Sequence, residues 1–577
     1  MVTEIELKYS LLENPKLTTS EQINTVISQL FTEQQLTFVQ QEKHLSNYYF
    51  DTPEFTLRKQ RIALRTRGTK SAGENERFEQ TIKKSGTVVA GLHQRPEYNV
   101  DIDNAKPVLA LFPTEVWQTD TDVNQLQQQV IELFSTNFTR NTWLVTMPST
   151  PGDNQGDTQI EVAFDCGEIA CSGYGEKPRI FEIELELVSG TRDSLFTLTE
   201  ILFSQLALRP GQLTKAARGY ALYRESIATN NDNQVDNITE VNQPVTVSAI
   251  NTSFNSSFNP IINSSVDLAK GVSPSLRDAF IHGLSTRLTQ LQLNVDAYVS
   301  SCNADTDIIN KAQMLSSSQL IELQKIKSQL LLMRHGFYLF DEITFEDEKV
   351  IAAELSYFID TLVWVEPQLY NRVFSQNLLE QLPQSLSSTI EFEQVDEPVC
   401  LSNSAALTVL HSERFNQLQL KLLILFLKDS ENQHDVKQKQ APYTLNNFAA
   451  KQLTHNIERV NNELINLSKI EPSLFLNNYQ NIEVLLNKAL STISWFSSVF
   501  TDNENDIIET FNSPLLDIRS NLKELQCLTE LQLKFANTQQ EPLEEKQLSA
   551  LIENKCTHLC IEIKQSSVQA LAMQPYW

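Results

Sequence analysis

The sequence predicts an α+β chain in two parts, an antiparallel β region with a charged interior followed by an all-helical bundle. Three observations carry this reading. Across roughly the first 220 of 577 residues, short runs alternate apolar and charged side chains with a period of two. Residues 229–265 are then dominated by Asn, Ser and Thr, with no helical periodicity. Past about residue 270 glycine becomes scarce, and apolar residues recur at spacings of three and four.

The first run is Glu4-Ile5-Glu6-Leu7-Lys8. In a strand, residues two apart share a face, so Glu4, Glu6 and Lys8 point one way and Ile5 and Leu7 the other. Two carboxylates beside an ammonium suit a site that holds a divalent cation and a polyanion together. The same design recurs. Leu64-Arg65-Thr66-Arg67 puts two guanidinium groups on one face. Glu79 to Lys83 offers Glu79, Thr81 and Lys83, and Arg95 to Asn99 offers Arg95, Glu97 and Asn99. Arg140 leads into Trp143-Leu144-Val145, Ile160 to Asp165 offers Glu161 and Asp165, and Phe181 to Leu187 offers Glu182, Glu184 and Glu186.

A strand with one charged face ordinarily turns that face to water. Solvent faces mix residue types, however, whereas here some strands supply mostly Arg and Lys and others mostly Glu and Asp. Closing such a sheet into a barrel makes a charged tunnel. Charge buried at that density needs partners, which phosphates and metal ions supply.

These runs resemble the CYTH superfamily, the triphosphate tunnel metalloenzymes. The resemblance rests on the N-terminal Glu-x-Glu-x-Lys, the Leu-Arg-x-Arg run and the late Glu-Ile-Glu-Leu-Glu. It rests also on Gly91 to Val100, Pro113-Thr114-Glu115-Val116-Trp117 and Leu213 to Tyr220. Together they look like the bacterial inorganic triphosphatase branch that carries a C-terminal CHAD domain. The resemblance implies an eight-stranded antiparallel tunnel barrel with flanking helices over residues 1–225. A flexible linker over 226–263 and a CHAD-like helical domain over 264–577 complete the expected organisation.

Composition sets the outer bounds. The net charge is −26, divided as −11 over residues 1–263 and −15 beyond. Neither half is basic, which argues against nucleic acid as a partner. The seven cysteines lack paired metal or disulfide spacing and read as free thiols of a reducing cytosol. No two histidines have metal-ligand spacing. Met1 leads directly into a charged strand rather than a signal segment. The longest apolar run, Leu422 to Leu427, is too short for a bilayer. A cytoplasmic protein without a membrane partner is expected.

In the second part the pattern predicts helices at Leu276–Val299, Leu320–Phe340, Val350–Trp364, Phe415–Leu427, Leu445–Leu467, Asn478–Val499, Ser513–Phe535 and Gln547–Leu571, arranged as a bundle of two related halves. CHAD domains bind polyphosphate on basic helix faces. Here Gln324 stands where a His is expected and Leu331 and Leu332 stand where paired arginines are expected, while Lys327 and Arg334 remain. Near the end, Cys527 and Thr529 replace an expected Asp and Gly. The resemblance therefore implies a retained fold with an eroded basic face, and weak polyphosphate binding at most.

Chemistry follows from a triphosphate substrate. Guanidinium forks hold phosphate oxygens and lysines supply point charge. Arg65, Arg67, Lys83, Arg140 and Lys8 are assigned to the phosphates, with Arg58, Arg95 and Lys215 as second choices. Mg²⁺ or Mn²⁺ takes hard oxygen ligands, for which Glu4, Glu6, Glu182 and Glu184 lead. Asp165, Glu161 and Glu186 are alternatives for a second ion or for orienting water, and spacing does not choose among them. With Lys8 they form the expected catalytic set. The expected activity is metal-dependent hydrolysis of inorganic triphosphate to diphosphate and phosphate. Alternatives are a thiamine or nucleoside triphosphatase, an adenylate cyclase on the same barrel, or a non-catalytic polyphosphate-binding protein.

Overall fold

The computed structural model describes residues 2–232, 275–304, 315–380, 403–431, 444–469, 479–500, 505–535 and 542–577, apart from 13–16, 18, 72, 74, 85, 90–91, 119–120, 150–155, 212–213 and 497–498. The chain divides into two compact units. One comprises residues 1–241 and 411–423, the other 242–410 and 424–577.

The first unit is built on ten strands: β1 (Val2–Leu11), β2 (Thr37–Asp51), β3 (Ile62–Lys70), β4 (Arg77–Lys84), β5 (Thr87–Val89), β6 (Leu92–Ile102), β7 (Ile131–Met147), β8 (Thr158–Ala170), β9 (Arg179–Ser189) and β10 (Leu208–Pro210). They follow the order β10-β1-β9-β8-β7-β2-β3-β4-β6-β5, and β1 also pairs with β6. That last pairing closes eight strands on themselves, as expected. The short β10 and β5 lie outside the ring, hydrogen-bonded to β1 and β6. Every strand read from the sequence is present. The long β2 was not anticipated, because its first half is almost wholly exposed and breaks the apolar alternation.

Directly opposed residues in paired strands project to the same side. Register therefore carries one charged face around the ring. Lys8 lies opposite Glu184 and Glu6 opposite Glu186. Asp165 lies opposite Glu182 and Arg140. Arg67 lies opposite Asn47 and Glu79, and Lys83 opposite Glu97. The alternate residues form the outer apolar face. Leu7, Ile183 and Leu185 are buried, as is the layer of Ile62, Leu64 and Ile82 with Leu109, Phe112 and Val116. Helix α1 (Ser20–Glu33) opens with a Thr19/Gln22 capping box and buries Ile23, Ile27, Leu30 and Phe31. After a four-residue helix α2 (Thr56–Lys59) and α3 (Val123–Gln129), helix α4 (Arg192–Phe203) buries Leu195, Leu198 and Leu202, and its Phe203 meets Tyr9 edge-on. Helix α5 spans Lys215–Asp232 and so runs past residue 225, where the linker was expected to begin. The rest of that linker lies outside the described residues.

The second unit is helical among the described residues. Its helices include α6 (Leu276–Ala304), α7 (Ser317–Leu339), α8 (Lys349–Thr361), α9 (Val365–Glu380) and α10 (Asn403–Leu410). After α11 (Glu413–Glu431), which runs across the division, come α12 (Leu445–Ser468), α13 (Tyr479–Phe496), α14 (Asn505–Phe535) and α15 (Pro542–Ala572). All eight sequence-predicted runs are helical, and α9 and α10 are additional. Helix α14 starts eight residues earlier than expected and carries Pro514 in its interior. Two glycines explain the core. A Cβ at Gly283 or Gly336 would lie 2.0 or 2.3 Å from the Trp495 ring, so both helices must be bare where they meet that indole. The Trp495 Nε1–H donates to Leu332 O at 3.0 Å.

Leu332 is buried in this core and Lys327 is turned toward Glu366 at 3.8 Å. Arg519 and Lys523 reach the same carboxylate at 2.7 and 3.6 Å, and Lys523 also reaches Glu483 at 2.7 Å. Among the described residues no helix is long and apolar enough to cross a membrane.

Candidate active site

Three carboxylates, Asp165, Glu182 and Glu184, bring ligand oxygens within 4.8 Å of one another inside the ring. Adjacent strands β8 and β9 place them there, because Asp165 is in register with Glu182 and Ala163 with Glu184. All three are buried. Isolated carboxylates could not ionise in such a place, so cations must accompany them. Arg140 donates from Nε and Nη2 to both oxygens of Asp165, each at 2.7 Å, and from Nη2 to Glu184 at 2.6 Å. Lys8 lies 2.6 Å from Glu184, and 3.9 Å from both Glu6 and Glu182.

Lys215, at the start of α5, reaches all three. Its Nζ is 2.7 Å from Asp165 and 2.9 Å from Glu184, and it also contacts Glu182. Burial opposes its charge, yet Asp165, Glu182 and Glu184 raise it above the ordinary lysine range. The mirror effect acts on Glu184. Burial by itself would raise its carboxyl, but Lys215, Lys8 and Arg140 hold it well below the usual carboxylate range.

The opposite wall is cationic and less fully compensated. Arg65 donates from Nη2 to Thr81 at 3.0 Å and lies 3.9 Å from Glu97, while its buried Nε has no hydrogen-bond partner. Arg67 donates from Nε to Asn47 Oδ1 at 2.7 Å. Burial, then the neighbouring guanidinium groups of Arg65 and Arg140, bring Arg67 down to about 9. Such crowding of like charge is relieved by an anion. Lys83 pairs with Glu97 at 2.9 Å.

Helix α5 is tied to the barrel beside this site. Asp51 is fully buried and accepts from the N–H groups of Thr52, Leu57 and Arg58 at 2.7, 2.8 and 3.0 Å, and from Tyr220 OH at 3.2 Å. Gly219 permits close approach, since a Cβ there would lie 2.0 Å from the Phe134 ring. Tyr220 packs with Leu45, Tyr49, Phe134 and Phe138, so one stretch of the interior is apolar.

Residues 3–220 match the sequence model of the CYTH domain. This segment is similar to CYTH domains. Over 237 residues the chain is 35% identical to an inorganic triphosphatase from Haemophilus influenzae, covering 40% of this chain and 58% of that relative. The chain thus spans little more than half the relative's length. A Hippeastrum structure described as an adenylyl cyclase with a dominant triphosphatase activity is 17% identical, covering 38% of this chain and 95% of that one, with a TM-score of 0.24. A Pyrococcus horikoshii structure is 17% identical over 38% of this chain and 89% of that one, with a TM-score of 0.20.

The barrel gathers Lys8, Arg140, Asp165, Glu182, Glu184 and Lys215 at one place, and Arg65, Arg67 and Lys83 along another wall. Glu6 is buried 3.9 Å from Lys8, on the same face as the triad but outside it. Glu186 is half-buried, opposite Glu6 and Glu161 in register. Arg58 stacks on Tyr220, 4.3 Å from the ring centre. Glu4 and Arg95 face each other across β1 and β6, and their side chains lie outside the described residues. The sequence reading missed Asn47, which orients Arg67, because β2 was missed. It also missed Arg218, 3.4 Å from Glu182, although its position three residues after Lys215 places both on one helix face.

The donor set fits a hard divalent cation. Three carboxylates offer only oxygen, and Glu182 Oε1 meets only the ammonium groups of Lys8 and Lys215.

Proposed function

We propose that this chain is a metal-dependent inorganic triphosphatase, cleaving triphosphate to diphosphate and phosphate. One observation carries the reading. A buried carboxylate triad lies across the barrel interior from a guanidinium wall that is short of anions, with the Arg65 Nε unpartnered. A polyphosphate chain supplies the missing anions, and a divalent ion would sit at the triad. The Haemophilus influenzae relative supports the same substrate.

Asp165, Glu182 and Glu184 would hold Mg²⁺ or Mn²⁺, with Glu6 and, from its spacing in the sequence, Glu4 as further candidate oxygen donors. The ion supplies Lewis-acid neutralisation of phosphate oxygens when bound. Arg65, Arg67 and Lys83 hold the substrate in line and stabilise charge that spreads over the phosphoryl oxygens. Glu161 and Glu186 are the carboxylates left to orient the attacking water. No side-chain nucleophile is needed.

The helical unit is read as CHAD-like with a weakened anion-binding face. Lys327, Arg519 and Lys523 are turned onto Glu366, and Leu332 is in the core. Long polyphosphate should therefore bind weakly. We place the protein in the cytoplasm.

The test is phosphate release with Mg²⁺ or Mn²⁺ from triphosphate, ATP, thiamine triphosphate and long polyphosphate. Triphosphate should be the best substrate, with no activity in chelator. Cyclic AMP as a product, or a preference for ATP, would favour the cyclase or nucleoside triphosphatase reading.

A further inference from the structure

We propose that the Lys215 ammonium occupies the cation position of the carboxylate triad and is displaced when a divalent ion binds there. This deepens the metal-dependent reading and rests on it. The geometry is specific. Lys215 is the one cation among the described residues within ion-pair distance of Asp165, Glu182 and Glu184 together. Arg140 reaches Asp165 and Glu184, and Lys8 reaches Glu184 at 2.6 Å and Glu182 only at 3.9 Å, so neither contacts all three. Lys8 and Arg140 project from strands and are fixed by the ring. Lys215 instead enters from the first turn of a helix, on a four-carbon stem that can swing without moving a strand.

The competition has an energetic basis. Three buried carboxylates without a central cation would repel one another and lose solvation, so an internal ammonium stabilises the metal-free fold. The same ammonium must leave its pairs for a cation to coordinate those oxygens. Its departure is therefore a cost on every binding event, and apparent metal affinity falls by that amount. In this arrangement Lys215 guards the empty site and sets the ion concentration at which it fills.

The experiment uses the full chain and Mn²⁺ alone, with binding followed by electron paramagnetic resonance and by thermal unfolding. Lys215→Met and Lys8→Met each remove one positive charge beside the triad. Lys215→Met should tighten Mn²⁺ binding by at least roughly tenfold, and by more than Lys8→Met does. Its melting temperature should fall in chelator and be restored by Mn²⁺. Equal tightening in the two variants would mean that bulk charge alone is responsible, and would overturn the proposal. If Lys215→Met does not fold, the wild-type chain decides. With ¹⁵N-labelled lysines, the most strongly ion-paired ammonium signal should move on Mg²⁺ saturation, and an unmoved signal overturns the proposal. Because the probe is the ion alone, failure of the wild-type chain to hydrolyse triphosphate would reject the functional reading without touching this result.

Discussion

Arg140 grips Asp165 with two parallel hydrogen bonds, Nε to Oδ1 and Nη2 to Oδ2, both at 2.7 Å. The pair spans β7 and β8 at directly opposed positions and Asp165 is fully buried. Breaking a buried pair leaves an uncompensated charge, which costs far more than the pair contributes. Asp165→Ala should therefore lower unfolding free energy by about 3–5 kcal/mol in denaturant titration and also abolish phosphate release. A variant as stable as wild type would mean that Arg140 is satisfied elsewhere.

Within the carboxylates, the triad should matter more than its neighbours. Glu184→Gln neutralises a carboxylate whose Oε1 faces Lys8 and Lys215 and whose Oε2 faces Arg140. Triphosphatase activity at saturating Mn²⁺ should drop at least roughly a hundredfold, since even groups that only support ligands cost about 10–100-fold. Glu6→Gln should cost less, because Glu6 stands outside the triad. The reverse order would move the metal toward β1.

Substrate preference follows from the guanidinium wall. Arg65→Ala should reduce kcat/KM on triphosphate, ATP and thiamine triphosphate alike, on the order of a hundredfold. The inward aromatic residues are already engaged, as Tyr49 and Phe134 stack with ring centres 4.6 Å apart. A base thus adds bulk without adding contacts. Free triphosphate should exceed ATP by at least about tenfold, equivalent to about 1.4 kcal/mol. A loss confined to one substrate on mutating Arg65 would contradict this.

The helical unit makes a pH prediction. Burial would raise Glu366, but Lys523, Arg519 and Lys327 bring its carboxyl from the ordinary 4.5 down to about 2. A depressed folded-state value means stabilisation that is complete above about pH 4.5 and is lost as pH falls toward about 2, worth on the order of 3 kcal/mol. Glu366→Gln should be less stable than wild type at pH 7 by about that amount, and the gap should narrow below pH 4.5. A constant gap from pH 7 to pH 3 would show that the charge of Glu366 is not what holds the cluster.

The sequence by itself determined which residues share a face. Alternation with period two is a local property of an extended chain, so Glu6 with Lys8, Arg65 with Arg67, and Glu182 with Glu184 could be paired without coordinates. Helical spacing is equally local, and the predicted runs of the second unit are helical for that reason. The tertiary structure decided which faces meet. Closure through the β1–β6 pairing, and the register that sets Asp165 beside Arg140, depend on contacts between distant segments. Local spacing carries no information on them. Lys215 is the clearest case. Its neighbours in sequence suggest only a helix start, and its place among Asp165, Glu182 and Glu184 follows from Tyr220 bonding to Asp51 and Gly219 packing on Phe134. The likeness of charge types marked it as a phosphate ligand, whereas the packing of α5 put its ammonium on the carboxylates, because buried anions take the nearest cation that the fold can deliver.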